Sequence, residues 1–281
     1  MTTGSSEIGL QPMSFARSSV TWGDVEMTDQ ANTVIVSVAP VCRIDGHLPS
    51  ESENPLTASE ISDEVIRCWN AGACIVHLHV RDEKGNQVSD LEVFSRTLDR
   101  IRDSSDIILQ GSTGGLSTLS LEERCVCLND LRIEMASLNM GSVNVGESVY
   151  INTIPDIRYW AERMRGAGVV PELEVFNPSM IESACELLSE GVLSEPLHFN
   201  FALGFPSSLS ADPKHIAYLA CMLATGMRWG FLHEGMTDFV SISASLGLGA
   251  RTLRVGFEDG GISARIDPPE TMQNWSSIWL E

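Results

Sequence analysis

The feature that most constrains this chain is a phrase it repeats: a helical pattern, a glycine, then a short run rich in β-branched residues. It appears as WNAGACIVHLHV, MRGAGVVPELEVF, LATGMRWGFLH and SLGLGARTLRVGF. Strands are expected from 33 (TVIVSVA), 73 (ACIVHLHV), 106 (DIILQG), 133 (IEMASLN), 171 (PELEVF), 197 (LHFNFAL), 228 (RWGFLH) and 251 (RTLRVGF). Eight strands alternating with helical patterns in about 230 residues predict an α/β chain folded as a (β/α)₈ TIM barrel, a single domain over 33–262. A doubly wound open sheet is the fallback, but it gives no reason for a count of eight. Residues 1–32 read as a polar N-terminal arm and 263–281 as a short C-terminal segment. Two helix starts are legible. Thr57-Ala-Ser-Glu60 has the form of a capping box, and Pro213 stands in a first turn after polar capping candidates.

Charge and cysteines bound the function. With 38 acidic against 18 basic residues the net charge is −20, which argues against a nucleic-acid partner because its phosphates would be repelled. An anionic substrate would therefore need local positive charge to receive it. No run of eighteen apolar residues occurs, so no membrane span is expected. The start carries neither an apolar signal core nor an Arg-rich targeting pattern, which fits a cytoplasmic protein. The seven cysteines include no CxxC and sit mostly in apolar contexts, as reduced, buried thiols would.

Chemistry in a barrel collects where its strands end. There the second strand carries His77 and His79, which share a face while Val76, Leu78 and Val80 take the other. Two such imidazoles can simply bond carbonyls in a polar interior. A carboxylate at a neighbouring strand end turns them into a His₂-carboxylate metal set with open positions, the usual form of catalytic zinc. Glu258 in RVGFED is the favoured carboxylate, because the last strand closes the ring beside the first two; His233 and Asp82 are rivals. Arg254 should point inward, since Leu253 and Val255 occupy the opposite face, and Asp259 beside it could abstract a proton. Ser112-Thr113-Gly114-Gly115 is either an ordinary turn or an anion nest of backbone N–H groups and two hydroxyls at a helix N-terminus. HEGMTD, from His233, lacks the second histidine that a zinc-protease motif requires.

Taken together, EISDEVIRCWNAGACIVHLHVRDEKG, ILQGSTGG, EMASLNMGSVN, PELEVF and RVGFED resemble the β-keto acid cleavage enzymes from about residue 34 to 262. The resemblance implies a zinc-dependent barrel in which a β-keto acid and acetyl-CoA become acetoacetate and a new acyl-CoA. It implies His77, His79 and Glu258 as zinc ligands, Asp259 as base and Arg254 as its support. Ser112, with Thr113 and Gly114, would receive the substrate carboxylate. Asn139 would lie near the acyl transfer, Glu174 would line the pocket, and Asp45 falls near a position that reads the variable end of the substrate. A homo-oligomer, dimer or tetramer, is implied as well. The loop LGFPSSLSADP departs from the glycine-rich form usual in that family. Two other classes remain open: an amidohydrolase-type metal hydrolase, and a barrel kept as a binding or scaffold protein.

Overall fold

The computed structural model describes residues 33–260, apart from Asp45, His47, Pro49, Ser50, Glu51, Leu116 and Thr237. The expected arm and C-terminal segment, and Asp45, lie outside the described residues. Eight parallel strands close on themselves: β1 (Ile35–Val38), β2 (Ile75–Leu78), β3 (Ile108–Gly111), β4 (Met135–Asn139), β7 (Val170–Val175), β8 (His198–Leu203), β9 (Arg228–His233) and β10 (Thr252–Val255). Closure is made by β1, which pairs with β2 on one side (Ser37 with Ile75) and β10 on the other (Ile35 with Thr252). Each expected strand is present, and the fold is the TIM barrel that the repeated phrase predicted.

Helices α1 (Ala58–Asn70), α2 (Glu92–Arg102), α4 (Ile154–Ala167), α5 (Pro178–Ser189), α6 (Pro213–Met222) and α7 (Val240–Gly247) alternate with the strands. Between β3 and β4 the helical element shrinks to α3 (Leu121–Arg124) and a 3₁₀ turn. The start of α1 is the capping box: Thr57 Oγ1 accepts the Glu60 N–H while Glu60 Oε2 accepts the Thr57 N–H. At α6, Asp212 caps through the Lys214 N–H and Pro213 occupies the first turn. Outward strand residues pack on inward helix faces: Val76, Leu109, Leu138, Leu173, Phe199 and Phe231 meet Val65, Leu98, Ile101, Trp160 and Ile216 in one buried cluster. The core is thus a ring between barrel and helices.

Two features differ from the sequence reading. A hairpin of β5 (Val143–Val145) and β6 (Ser148–Tyr150) stands between β4 and α4. Its two-residue link contains Gly146, whose φ of 61° is left-handed backbone that glycine adopts without strain. The hairpin is bound across the rim, its Gly146 N–H donating to Pro206 O and its Val149 carbonyl accepting from Ser117 Oγ. The cysteines also divide otherwise than expected: all seven are free, but Cys74, Cys185 and Cys221 are exposed. Cys74 precedes β2 and faces outward at the start of the strand, so an apolar sequence context does not bury it.

Leu138 lies fully within the ring core, whereas Thr57 acts only at one helix end. Leu138→Ala should therefore cost about 2–5 kcal/mol and Thr57→Ala about 1 kcal/mol in denaturant unfolding.

Candidate active site at the barrel mouth

Period-two alternation along β2 puts His77 and His79 on the inner face, with Val76 and Leu78 in the ring core. Glu258 reaches them from the turn after β10. Its Oε1 lies 2.9 Å from His79 Nε2 and 3.6 Å from His77 Nε2. All three donor atoms fall within 4.8 Å of one another, and among the described residues this is the only such His/Cys/Asp/Glu group. A tetrahedral ion with bonds of about 2.0–2.1 Å needs donors about 3.3 Å apart, so the two contacts bracket the requirement.

The chemistry of the donors fits a cation too. Burial, and then the charge of Arg254, push the His77 imidazole down to about 3, so it is neutral at ordinary pH. Its Nδ1 is 2.8 Å from Gln110 Oε1. An N–H donated there leaves the Nε2 lone pair facing Glu258, the support that metal-bound histidines usually have. Gln110 is the β3 residue in register with His77. Burial acts to raise the Glu258 carboxyl, but His79, His77 and Arg254 outweigh it and hold the group well below the usual carboxylate range. The rivals fall away. Asp82 is turned outward and spent on Asn86 and the Lys84 N–H, and His233 is no part of the group.

Gly256 makes this seam possible. A Cβ there would stand 2.1 Å from Ala39 O and 2.8 Å from Ala39 N, so only glycine lets the chain cross β1 and deliver Glu258. Arg254 sits beside the group, buried, donating Nε to Asp259 Oδ2 at 2.9 Å and Nη2 to Oδ1 at 2.5 Å. Its Nη1 reaches Glu174 Oε1 at 3.0 Å, and Nη2 lies 3.8 Å from Glu258 Oε1. Burial raises the Asp259 carboxyl while the bidentate Arg254 opposes the rise. Burial likewise takes Glu174 up to about 7 against the pull of Arg254, with Glu172, Glu258 and Asp259 adding to the rise.

Ser112 follows β3 by one residue; its N–H donates to Leu78 O, so the ladder continues and Ser112 falls opposite His79. Asn139 ends β4 and is in register with Glu174 on β7. Thus residues 77, 79, 112, 139, 174, 254, 258 and 259 gather at the C-terminal mouth. The expectation of two hydroxyls at a helix N-terminus is corrected. The Thr113 hydroxyl donates to Ser137 O in the wall, and α3 begins only at Leu121 under its own cap, Ser120. The Gly114 N–H is also used, donating to Ser112 Oγ at 3.0 Å. The Cys125–Cys127 pair offers no thiolate: burial pushes Cys127 up to about 12 and its thiol donates to Ser112 O.

Residues 34–271 match the family model for the beta-keto acid cleavage enzymes. The chain belongs to this family. A 3-keto-5-aminohexanoate cleavage enzyme of Fusobacterium nucleatum is 32% identical over 227 residues, 80% of this chain and 82% of that protein. A 3-oxoadipate:acetyl-CoA acetyltransferase of Cupriavidus necator is 35% identical over 233 residues, 80% and 79% of the two chains. Among solved structures, apo ObcA shares the fold with a TM-score of 0.70 at 20% identity, covering 81% of this chain. This chain spans 61% of the ObcA chain. The β-keto acid cleavage family reading also sets aside the amidohydrolase alternative, as does the geometry: β7 carries Glu174 one residue before its end, and His198 opens β8 at the far end of the barrel.

Sequence reasoning passed over Gln110's support of His77, although period two from the histidine pair to the next strand could have found it. It gave no role to Glu234, one residue past β9, whose carboxylate pairs with Arg43 at 3.4 Å and which burial, then Asp259, pushes up to about 7.

Two outcomes follow. Metal analysis should show His77→Ala or Glu258→Gln with little bound divalent metal, Gln110→Ala with affinity about 10- to 100-fold weaker, and Asp82→Asn unchanged. In metal-free protein, Glu234 titrates near 7 folded but near 4.5 unfolded, so the folded state holds the extra proton between those values. Wild-type stability should fall as the pH rises from 4.5 to 7, and Glu234→Gln should flatten that slope in denaturation at pH 5 and pH 8.

Proposed function

We propose that this chain exchanges acyl groups between a β-keto acid and acetyl-CoA, giving acetoacetate and a new acyl-CoA, with zinc held by His77, His79 and Glu258. The observation that carries the reading is the convergence of those three donor atoms beside a guanidinium that grips Asp259 by both oxygens. The Cupriavidus relative, by its name, pairs an oxo acid with acetyl-CoA. Two imidazoles and one carboxylate are one of the usual ligand sets of catalytic zinc, and they leave positions open.

When bound, such a cation supplies Lewis-acid polarisation to the ketone and carboxylate oxygens of a β-keto acid. The remaining work belongs to the chain. Asp259, held in place by Arg254, takes a proton from the carbon between ketone and carboxylate. That carbon attacks the acetyl carbonyl of acetyl-CoA and the thiolate leaves. The thiolate then attacks the original ketone carbon, and the bond from it to the central carbon breaks. The electron pair stays on the central carbon, which takes its proton back from Asp259 as acetoacetate.

Ser112 and Gly114 border the place of the substrate carboxylate, Asn139 and Glu174 line the pocket, and Asp45 reads the variable end of the substrate. Thr113 holds that loop to β4 rather than touching substrate. The same reading takes 33–262 as the catalytic barrel between an arm and a short C-terminal segment, in a cytoplasmic homo-oligomer. The free cysteines fit a reducing compartment. Among the described residues no helix is long and apolar enough to cross a membrane.

A panel of β-keto acids with acetyl-CoA, read as acetoacetate release by the zinc-loaded protein, tests the activity. Asp259→Asn should lower kcat by about 10²- to 10⁴-fold while keeping its metal. Turnover of no panel member would remove the activity, and recovery of iron rather than zinc would remove the zinc assignment.

A further inference from the structure

The missed hairpin brings Tyr150 over the Ser112–Gly115 loop. Its oxygen accepts from Arg124 Nη2 at 3.3 Å and from the Gly115 N–H. Both lone pairs are therefore taken, and the phenol can act toward a ligand only as a donor. Burial pushes its pKa up to about 12, so the proton stays on. Ser112 is set the same way: its oxygen accepts the Gly114 N–H, which frees its hydroxyl proton to point onward. The third group is Asn139, 1% exposed, with both Nδ2 and Oδ1 lacking any hydrogen-bond partner among the described residues.

Gly114 shows that the three face one space. A Cβ on Gly114 would lie 2.8 Å from the Tyr150 hydroxyl, 3.1 Å from Ser112 Oγ and 3.8 Å from Asn139 Nδ2. Three neutral donors thus converge just above a residue with no side chain, in the loop that follows the strand beside the histidine pair. Behind them stands Arg124, 4% exposed. Its hydrogen bonds go to the carbonyls of Thr113 and Ile151, to Asn152 Oδ1 and to Tyr150, and its plane lies over the Trp160 ring at 4.1 Å. None of those partners carries negative charge. A buried guanidinium held by dipoles alone favours an anion in front of it.

We infer that Tyr150 adds a donor of its own to the place where Ser112 would receive the substrate carboxylate, completing a three-donor hole that Asn139 also faces, and that Arg124 is the residue that positions it. This rests on the β-keto acid reading above for the identity of the ligand, though not for the existence of the hole. Tyr150 therefore makes the site select acids over neutral β-keto compounds, because the proton it presents gains most from a charged oxygen.

The test uses Tyr150→Phe, which keeps the ring, and Gly114→Ala, which puts a methyl group into the hole. In the zinc-loaded enzyme both should raise KM for the β-keto acid about 10- to 100-fold with kcat changed far less, and with metal content equal to wild type. Acetoacetate should also be titrated by NMR line broadening into metal-stripped wild type and both variants, with acetoacetamide as the neutral control. Wild type should prefer the acid, and Tyr150→Phe should narrow that preference about tenfold. Equal KM and equal acetoacetate binding in wild type and Tyr150→Phe would overturn the hole while leaving the acyl exchange intact. So would the absence of acetoacetate binding by wild type in both the loaded and the stripped state. Should no β-keto acid turn over while acetoacetate still binds and depends on Tyr150, the functional reading fails and the hole stands.

Discussion

The charged knot around Arg254 holds the barrel mouth together. One buried guanidinium spans Asp259 by two hydrogen bonds and Glu174 by a third, and lies 3.8 Å from Glu258. These acids come from β7 and from the turn after β10, so the same cation that neutralises them ties distant strands at one height. It opposes the rise that burial and mutual repulsion impose on Asp259 and on Glu174, the latter still carried up to about 7. The knot also fixes where Glu258 points. The carboxylate that faces the two histidines is the neighbour of the one that Arg254 grips, and Gly256 sets the approach of both.

How much of this was legible in the sequence depends on whether an element announces itself locally. The eight strands did, because a parallel strand buried on both faces reads as an apolar run and the glycine before it marks the end of a helix. His77 and His79 did as well, since period two places them on one face without knowledge of the rest of the chain. Glu258 could be matched to them only by assuming that the last strand closes beside the first two, and the register of β1 with β10 makes that so. The family motifs supplied roles that spacing alone could not.

What stayed hidden depended on contacts between segments far apart in the chain. VNVGESVY alternates only weakly and is short, so its hairpin could pass for a loop; it is held by Ser117 and Pro206 rather than by its own propensity. The Ser112–Gly115 loop looked like the start of a helix because glycine and hydroxyl residues usually precede one. Here the helix is delayed to Leu121, and the loop's donors are turned back on Ser112, Ser137 and Leu78. Arg124 reads in sequence as a surface arginine of a short helix. It is buried because Trp160 and three carbonyl or amide oxygens from other segments surround it.

The interior of the barrel explains why so many polar groups are available at its mouth. In barrels of this kind branched apolar side chains usually fill the inner layers. Here Ser37, Gln110, Ser137, Asn139, Glu172, Asn200, Thr252 and Arg254 are buried polar residues of the barrel strands, while their outward neighbours form the apolar ring. Such a floor contributes less to stability than packed leucine would, and a buried group without a partner adds a further cost: among the described residues Asn139, Ser37 Oγ and Thr252 Oγ1 have none, whereas others are paired. Gln110 finds His77, Asn200 finds Glu172, and Arg254 finds Asp259 and Glu174. Each pairing crosses between strands or closes a turn, so the groups at the mouth are oriented from below by hydrogen bonds as well as by packing. The apolar ring outside carries the stability, and that leaves the inner face free to be composed for binding.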